Sequence, residues 1–374
     1  MRLLAICAFI LAALISATPI QAQISFQSGF QVDWWSNEGG DEGRQSQIPL
    51  IWKGDLNQFS FTVQTAQVFN HIEPNDDEER DFDGLADTVI NLSYEIMDRW
   101  PVDLLLALDL NLPTGTTGLA DADLAYISDS DLVSITRMGQ GLNINPSLTV
   151  LKQWGSFMAA AGMGYLWRGK YNASESLRGY DPGDAINITA EAVYTFTPRW
   201  TARLFGGWTS YGADQRQNKE DYYQPGDVTI FGGGVNYAKA EWYINSQITW
   251  VMREKEALGD YAGDLVTEDR NSFGNEWIAE ISGGYSLTDR TDLRADIRYL
   301  TVAANDYPTT DWRHVSQRTK TAIGCEAIHR WSSRIETGLR LSIFALKVKD
   351  NPDSWQEEND YRGGSLSVWG ALRF

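Results

Sequence analysis

Cysteine, histidine, basic charge and long apolar runs are all scarce in this chain, and each scarcity excludes something. Of the two cysteines, Cys7 lies inside an apolar stretch near the start, too early for a lipoprotein cleavage site, so Cys325 stands alone in the mature chain and no intrachain disulfide is expected. The three histidines, His71, His314 and His329, are far apart. They lack zinc-type spacing, and no serine is placed beside one on a common strand face, so neither a metal site, a cofactor nor a hydrolytic enzyme is expected. Beyond residue 22 no run of 18 apolar residues occurs, which excludes a helical membrane span. Lys and Arg total 31 against 50 Asp and Glu, a formal charge of −19, so nucleic acid is not an expected partner. There is also no linker, low-complexity tract or composition shift, so residues 23–374 read as one domain.

Residues 1–22 have the marks of a secretory signal. Arg2 supplies the positive start, Leu3 to Ile15 the apolar core, and Ala22 a small residue before a cut ahead of Gln23. The chain therefore reads as exported without a helical anchor.

What is present is strict alternation. In Val102 to Leu112 every even position is Val or Leu, while the odd positions include Asp103, Asp109 and Asn111. A strand sends successive side chains to opposite faces, so one face is aliphatic and the other polar. Similar segments recur near 25–36, 44–54, 57–70, 85–97, 101–112, 142–153, 155–168, 183–197, 199–211, 225–238, 240–253, 274–287, 290–303, 316–330, 333–348 and 363–374. Short turns, such as Thr197-Pro198-Arg199 and Thr288-Asp289-Arg290, alternate with long acidic connections. Seven short turns and eight long loops join sixteen strands and put both termini on the short-turn side. This is the pattern of an all-β transmembrane antiparallel barrel. Fourteen strands would follow if 25–54 or 57–97 holds fewer, and twelve stays open.

Charge and aromatics support a barrel over a soluble sandwich. On 290–303, Asp292, Arg294, Asp296 and Arg298 share one phase, and Leu293, Ala295, Ile297 and Tyr299 the other. A midplane Lys or Arg on the lipid face costs about 2–4 kcal/mol, so the charged phase should face the lumen. Trp200 and Trp208 share a face, as do Trp242 and Trp250, and eight residues of tilted strand separate each pair by roughly 20 Å along the membrane normal. Two interfacial aromatic girdles are expected, with Trp331 and Phe374 in the inner one and Trp167 and Trp277 in the outer.

The last strand, with Leu366, Val368, Gly370, Leu372 and terminal Phe374, resembles the C-terminal signature of bacterial outer-membrane proteins. That resemblance implies recognition by the barrel assembly machinery through Phe374, an outer-membrane location, and contact with lipid and lipopolysaccharide. The long segment from Thr114 to Gly141, between strands five and six, is similar in position and chemistry to the inward third loop of sixteen-stranded general porins. It carries Asp121, Asp123, Asp129 and Asp131, the expected constriction acids. Such porins are commonly homotrimers, which the resemblance extends to this chain. Leu110-Asn111-Leu112-Pro113-Thr114-Gly115 and Gly162-Met163-Gly164-Tyr165 resemble the outer-membrane family of the meta-pathway of phenol degradation, thought to pass aromatic compounds.

In a ring of sixteen, strands thirteen and fourteen lie opposite the gap between five and six. They and the next strand carry Arg294, Arg298, Arg318, Lys320, Arg330, Arg334 and Arg340, so loop acids would face wall bases across the lumen and filter ions. Two plainer arrangements stay open: these bases pair with Asp296, Glu326 and Glu336 on adjacent strands, or the loop acids lie outside in water. The acidic run His71 to Gly84 contains only a fragment of calcium-loop spacing and reads as a solvated loop. The expected function is a passive channel for small hydrophilic solutes or ions. Uptake of aromatic or hydrophobic compounds is the alternative, and a structural or adhesive barrel is a third reading.

Overall fold

A computed structural model describes residues 22–75, 78–127, 129–216, 220–260, 264–349 and 359–374. The expected signal segment lies outside the described residues except for Ala22, and Asp76 and Asp77 of the acidic run also lie outside them. The first half of the chain gives β1 (Ala22–Asn37), β2 (Glu42–Leu56), β3 (Phe59–Glu73), β4 (Arg80–Leu85), β5 (Thr88–Ile96), β6 (Asp103–Leu112), the helix α1 (Asp121–Ile127), β7 (Asn143–Trp154) and β8 (Phe157–Arg168). Next come β9 (Ala185–Thr197), β10 (Trp200–Tyr211), β11 (Asp214–Gln215), β12 (Asp221–Gln224), β13 (Val228–Ala238), β14 (Trp242–Arg253), β15 (Ala257–Gly259) and β16 (Leu265–Thr267). The chain closes with β17 (Glu276–Thr288), β18 (Thr291–Val302), β19 (Arg318–Arg330), β20 (Ile335–Val348) and β21 (Tyr361–Arg373).

Each long strand pairs antiparallel with its sequence neighbour, and β1 pairs with β21 from Ser25↔Arg373 to Asn37↔Tyr361, which closes the ring. Closure leaves no unpaired sheet edge, a requirement where no water can satisfy the backbone. Both β4 and β5 pair with β3. Between Gln64 and Gln67 of β3 lie two residues, but between their partners Val89 and Leu85 lie three, so β4 and β5 are one wall strand interrupted by a single extra residue. The barrel therefore has sixteen strands, at the positions the alternation marks, and the fourteen- and twelve-strand readings fall away. The acidic run is corrected: Arg80–Leu85 is strand rather than solvated loop, with Phe82 packed against the interior cluster. The small strands β11, β12, β15 and β16 form a separate sheet on the long-loop side.

Register sorts the two faces. Ile281, Ile297, Ile323 and Ile343 are direct partners across β17 to β20, and each is about half exposed. A continuous row of exposed isoleucines is stable only against lipid. The opposite phase carries polar ladders. Asn91 donates to Asp109 at 2.7 Å and Asn145 donates to the same carboxylate at 3.1 Å, linking β5, β6 and β7 inside the barrel. At the lipid boundaries Trp200, Tyr237 and Trp242 pack at 4.7 and 4.8 Å, and Phe231, Trp250 and Trp277 at 4.8 and 4.9 Å. These are the two expected girdles. The Phe374 amide donates to Ile24 at 2.9 Å, and its ring stays exposed.

Candidate pore constriction

The segment between β6 and β7 lies inside the barrel because the inner wall there is apolar where a porin lumen is usually wet. Trp35 of β1, Val68 and Ile72 of β3 and Leu346 of β20 all face inward, and Ile127, Leu132, Val133 and Met138 of the segment cover them. Ile127, Leu132, Val133 and Met138 thus form, with the wall, the buried apolar cluster of the described residues. Its apolar side chains are out of water, a driving force of about 25 cal/mol per Å² buried.

Polar contacts fix the position. At the root of the segment, Asp87 is turned inward by the extra residue between β4 and β5. Its carboxylate accepts from the Gly115 amide at 2.7 Å, the Gln140 amide at 2.6 Å and the Asn111 side chain at 2.6 Å. The Asp87 amide in turn donates to the Met138 carbonyl at 2.7 Å, so one residue joins both ends of the segment. A Cβ on Gly115 would lie 2.1 Å from the Met138 carbonyl oxygen and 2.7 Å from the Asp87 nitrogen, backbone atoms that cannot swing away. Further along, Gln45 receives the Ile135 amide at 2.8 Å and donates to its carbonyl at 2.9 Å, while Asp33 accepts the Ser134 amide at 3.0 Å.

The four expected constriction acids have different fates. Asp131 reaches β19, where Arg318 lies 3.3 Å and Lys320 3.7 Å from its carboxylate, and Lys320 also donates to its carbonyl. Asp129 accepts the Asp131 amide at 2.8 Å. Asp123 pairs with Arg80 on the near wall at 3.5 Å. Asp121 belongs to the outer side, where the hydroxyls of Ser174 and Ser176 hold its carboxyl below the usual carboxylate range. There the connection between β8 and β9 docks on the segment, with the Gly118 amide on the Asn172 carbonyl and the Glu175 amide on the Leu119 carbonyl, both at 3.0 Å.

The opposed-charge arrangement across an open lumen is corrected by these contacts. Among the described residues, Arg318 and Lys320 are the expected wall bases that meet a loop acid, and they do so directly. Arg294 pairs with Glu326 at 3.5 Å and Arg298 with Glu280 at 3.4 Å on neighbouring strands. Arg330 pairs with Asp292, and Arg340 reaches Asp296 at 2.7 Å. That last contact spans β19 because Gly324 lies between them; a Cβ there would stand 2.7 Å from the Arg340 guanidinium. A mixed-charge wall with paired neighbours is rigid and close to neutral, so the free charge at the neck must be sought elsewhere.

It is found at Arg137, which the sequence reading passed over. Two cavities meet at the segment: an inner one of about 420 Å³ along β2, β3 and β5, and an outer one of about 310 Å³ under the long loops. Thr136, Arg137 and Met138 line both. Among the described residues the Arg137 side chain has no hydrogen bond or ion pair. The outer cavity has an aromatic flank, where Tyr171 and Tyr180 pack at 5.4 Å and Tyr180 and Tyr222 at 6.3 Å. Tyr180 donates to the buried Asp214, and burial followed by that bond pushes its hydroxyl well above the ordinary range. The sequence did hold one signal: Arg137 is the only basic residue between Thr114 and Gly141.

The histidines take no part in this site. His329 faces outward beside Trp331, His314 donates from Nδ1 to the Tyr307 carbonyl in an outer loop, and His71 lies on β3 among Glu73, Glu79 and Asp81.

Residues 127–250 match a family model described as the putative MetA-pathway of phenol degradation. That stretch includes Gly162 to Tyr165, one of the two motifs noted above, and ends before β17. Among solved structures, OccAB1 of Acinetobacter baumannii is 9% identical with a TM-score of 0.49, over 94% of this chain and 96% of that one. A TodX mutant described as a monoaromatic hydrocarbon channel is 12% identical with a TM-score of 0.47, over 97% and 94%. An anion-selective porin from Comamonas acidovorans is 13% identical with a TM-score of 0.42, over 95% and 100%. Among curated proteins none matches this sequence.

Proposed function

We propose that the chain is a passive outer-membrane channel for small hydrophilic solutes, narrowed by the described residues between β6 and β7. The observation that carries this reading is the asymmetric lumen. The segment is held against the inner faces of β1 to β5 and β19 to β20, while the inner faces of β7 to β14 carry Thr149, Asn187, Thr189, Thr209, Asn245, Gln247 and Thr249. A polar wall facing a fixed inward segment supports a wet, constricted passage. The exposed Phe374 supports insertion by the barrel assembly machinery, and trimer formation is proposed with it. Single-channel recording of the refolded chain, residues 23–374, in planar bilayers tests the function. Steady conductance proportional to salt is expected, and a demonstrably folded barrel with no conductance would refute the channel.

A second reading, uptake of aromatic compounds, is favoured by the tyrosine-flanked outer cavity and by the family match across residues 127–250. Liposome permeation by phenol faster than by a sugar of similar mass would support it.

A further inference from the structure

The geometry points to a binding site for a small aromatic carboxylate, with Arg137 as its anion partner and the outer tyrosine cavity as the seat of its ring. This inference rests on the channel reading and names the solute class that the neck would favour. The first argument is the unpaired charge. Around the segment Arg318 and Lys320 hold Asp131, Arg80 holds Asp123, Arg168 lies 3.7 Å from Asp214, and Arg298 holds Glu280. Arg137 alone among these cations has no carboxylate. The nearest acid lining the inner cavity, Asp87, has its oxygens taken by Gly115, Gln140 and Asn111. A guanidinium presents a planar fork of N–H donors that matches a carboxylate bidentately.

The second argument is position. Arg137 lies in the wall common to the two cavities, so a solute passing from one to the other meets it. Burial pushes the Tyr171 hydroxyl up, and the positive charges of Arg137 and Arg168 pull it back, which places Tyr171 within electrostatic reach of the guanidinium. The Tyr171 hydroxyl has no hydrogen-bond partner among the described residues, leaving a neutral donor beside the cation.

The third argument is the change of lining. The outer cavity offers Tyr171, Tyr180, Tyr222 and Tyr223 with Leu119 and Leu124, faces that suit a flat ring. The inner cavity is walled by Gln47, Gln64, Thr65, Asn111 and Gln140, which suit a hydrated anion. The outer volume of about 310 Å³ accommodates one ring with its carboxylate. Binding must stay weak for flux, since a channel site has to release what it captures.

Equilibrium titration of the refolded chain, residues 23–374, in detergent tests the site with benzoate, phenol and acetate as probes. Benzoate is expected to bind with a dissociation constant on the order of 1 mM, about tenfold tighter than either phenol or acetate. Arg137→Gln should abolish the preference of benzoate over phenol, and Arg137→Lys should keep part of it, having charge without the fork. Tyr171→Leu should weaken benzoate and phenol together. Equal binding of benzoate and phenol, or an undiminished benzoate preference in Arg137→Gln, would overturn the inference. Potassium chloride conductance is read in parallel. A conducting pore without benzoate preference removes the site and keeps the channel, whereas benzoate selectivity without conductance keeps the site and removes the open channel.

Discussion

Replacing Asp87 by Ala should release the constriction without unfolding the barrel. The carboxylate accepts three hydrogen bonds at 2.6 to 2.7 Å, from Gly115, Gln140 and Asn111, and is almost wholly buried. A hydrogen bond to a charged acceptor is worth about 1.5–3 kcal/mol, so the three together approach at most about 9 kcal/mol before compensation. Water entering the lumen would re-satisfy part of this, leaving roughly 3–5 kcal/mol lost from the closed position of the segment. At about 1.4 kcal/mol per factor of ten, the Gly115 and Gln140 amides should exchange with solvent roughly a hundred- to several-thousandfold faster. Asn at position 87 keeps one oxygen and presents an NH₂ group to a donor, so its effect should be intermediate. Gly115→Ala should converge on the Asp87→Ala result, since its Cβ would displace the same backbone. The assay is hydrogen exchange on protein whose barrel remains heat-modifiable on a gel, with conductance recorded beside it. Higher and noisier conductance is expected. Exchange at Gly115 and Gln140 within threefold of the unmodified protein would refute Asp87 as the anchor.

Asp131→Asn should free Arg318 and Lys320 from their shared carboxylate and move the reversal potential in a potassium chloride gradient toward chloride; an unmoved potential would show that the pair does not face the conducting path. Ile281→Arg places a cation in the lipid-facing isoleucine row and should destabilise bilayer-folded protein by about 2–4 kcal/mol in urea titrations, while the inward Ser282→Arg should have little effect. Asp121 has a depressed folded-state pKa, so its contribution is present above the ordinary value of 3.8 and lost as pH falls through the lower folded value. Docking of α1 on the Ser174–Ser176 loop should therefore hold from pH 7 to about 5 and loosen only below about 4, read as a distance between spin labels at Ala122→Cys and Ala173→Cys. The Asp121→Asn variant should show no such pH step.

The barrel itself was legible in the sequence because lipid imposes a period of two on every wall strand. Leu104 to Leu112 and Leu293 to Tyr299 show that period, and the short-turn parity requires an even strand number, while the count of sixteen came from the pairing of β3 with both β4 and β5 and from closure of β1 on β21. The inward loop was legible as a length and a set of acids, but not as a seat. Its seat depends on Trp35, Val68, Ile72 and Leu346, inward apolar residues from strands far apart in sequence that only closure of β1 on β21 brings together. Asp87 was invisible for a related reason: the extra residue after Leu85 reverses the face of the strand, and nothing local states that an acid there will meet two loop amides. Sequence put Arg294, Arg298 and Arg340 on the charged phase of their strands, yet pairing is a cross-strand property. Register gives Arg294 and Arg298 their carboxylates, and the gap at Gly324 lets Arg340 reach over a strand to Asp296. Charge left over after such pairing, at Arg137, is a difference between partners found and partners absent. Alternation along one strand determines which face a residue takes; only the closed tertiary structure decides which residue stands opposite it.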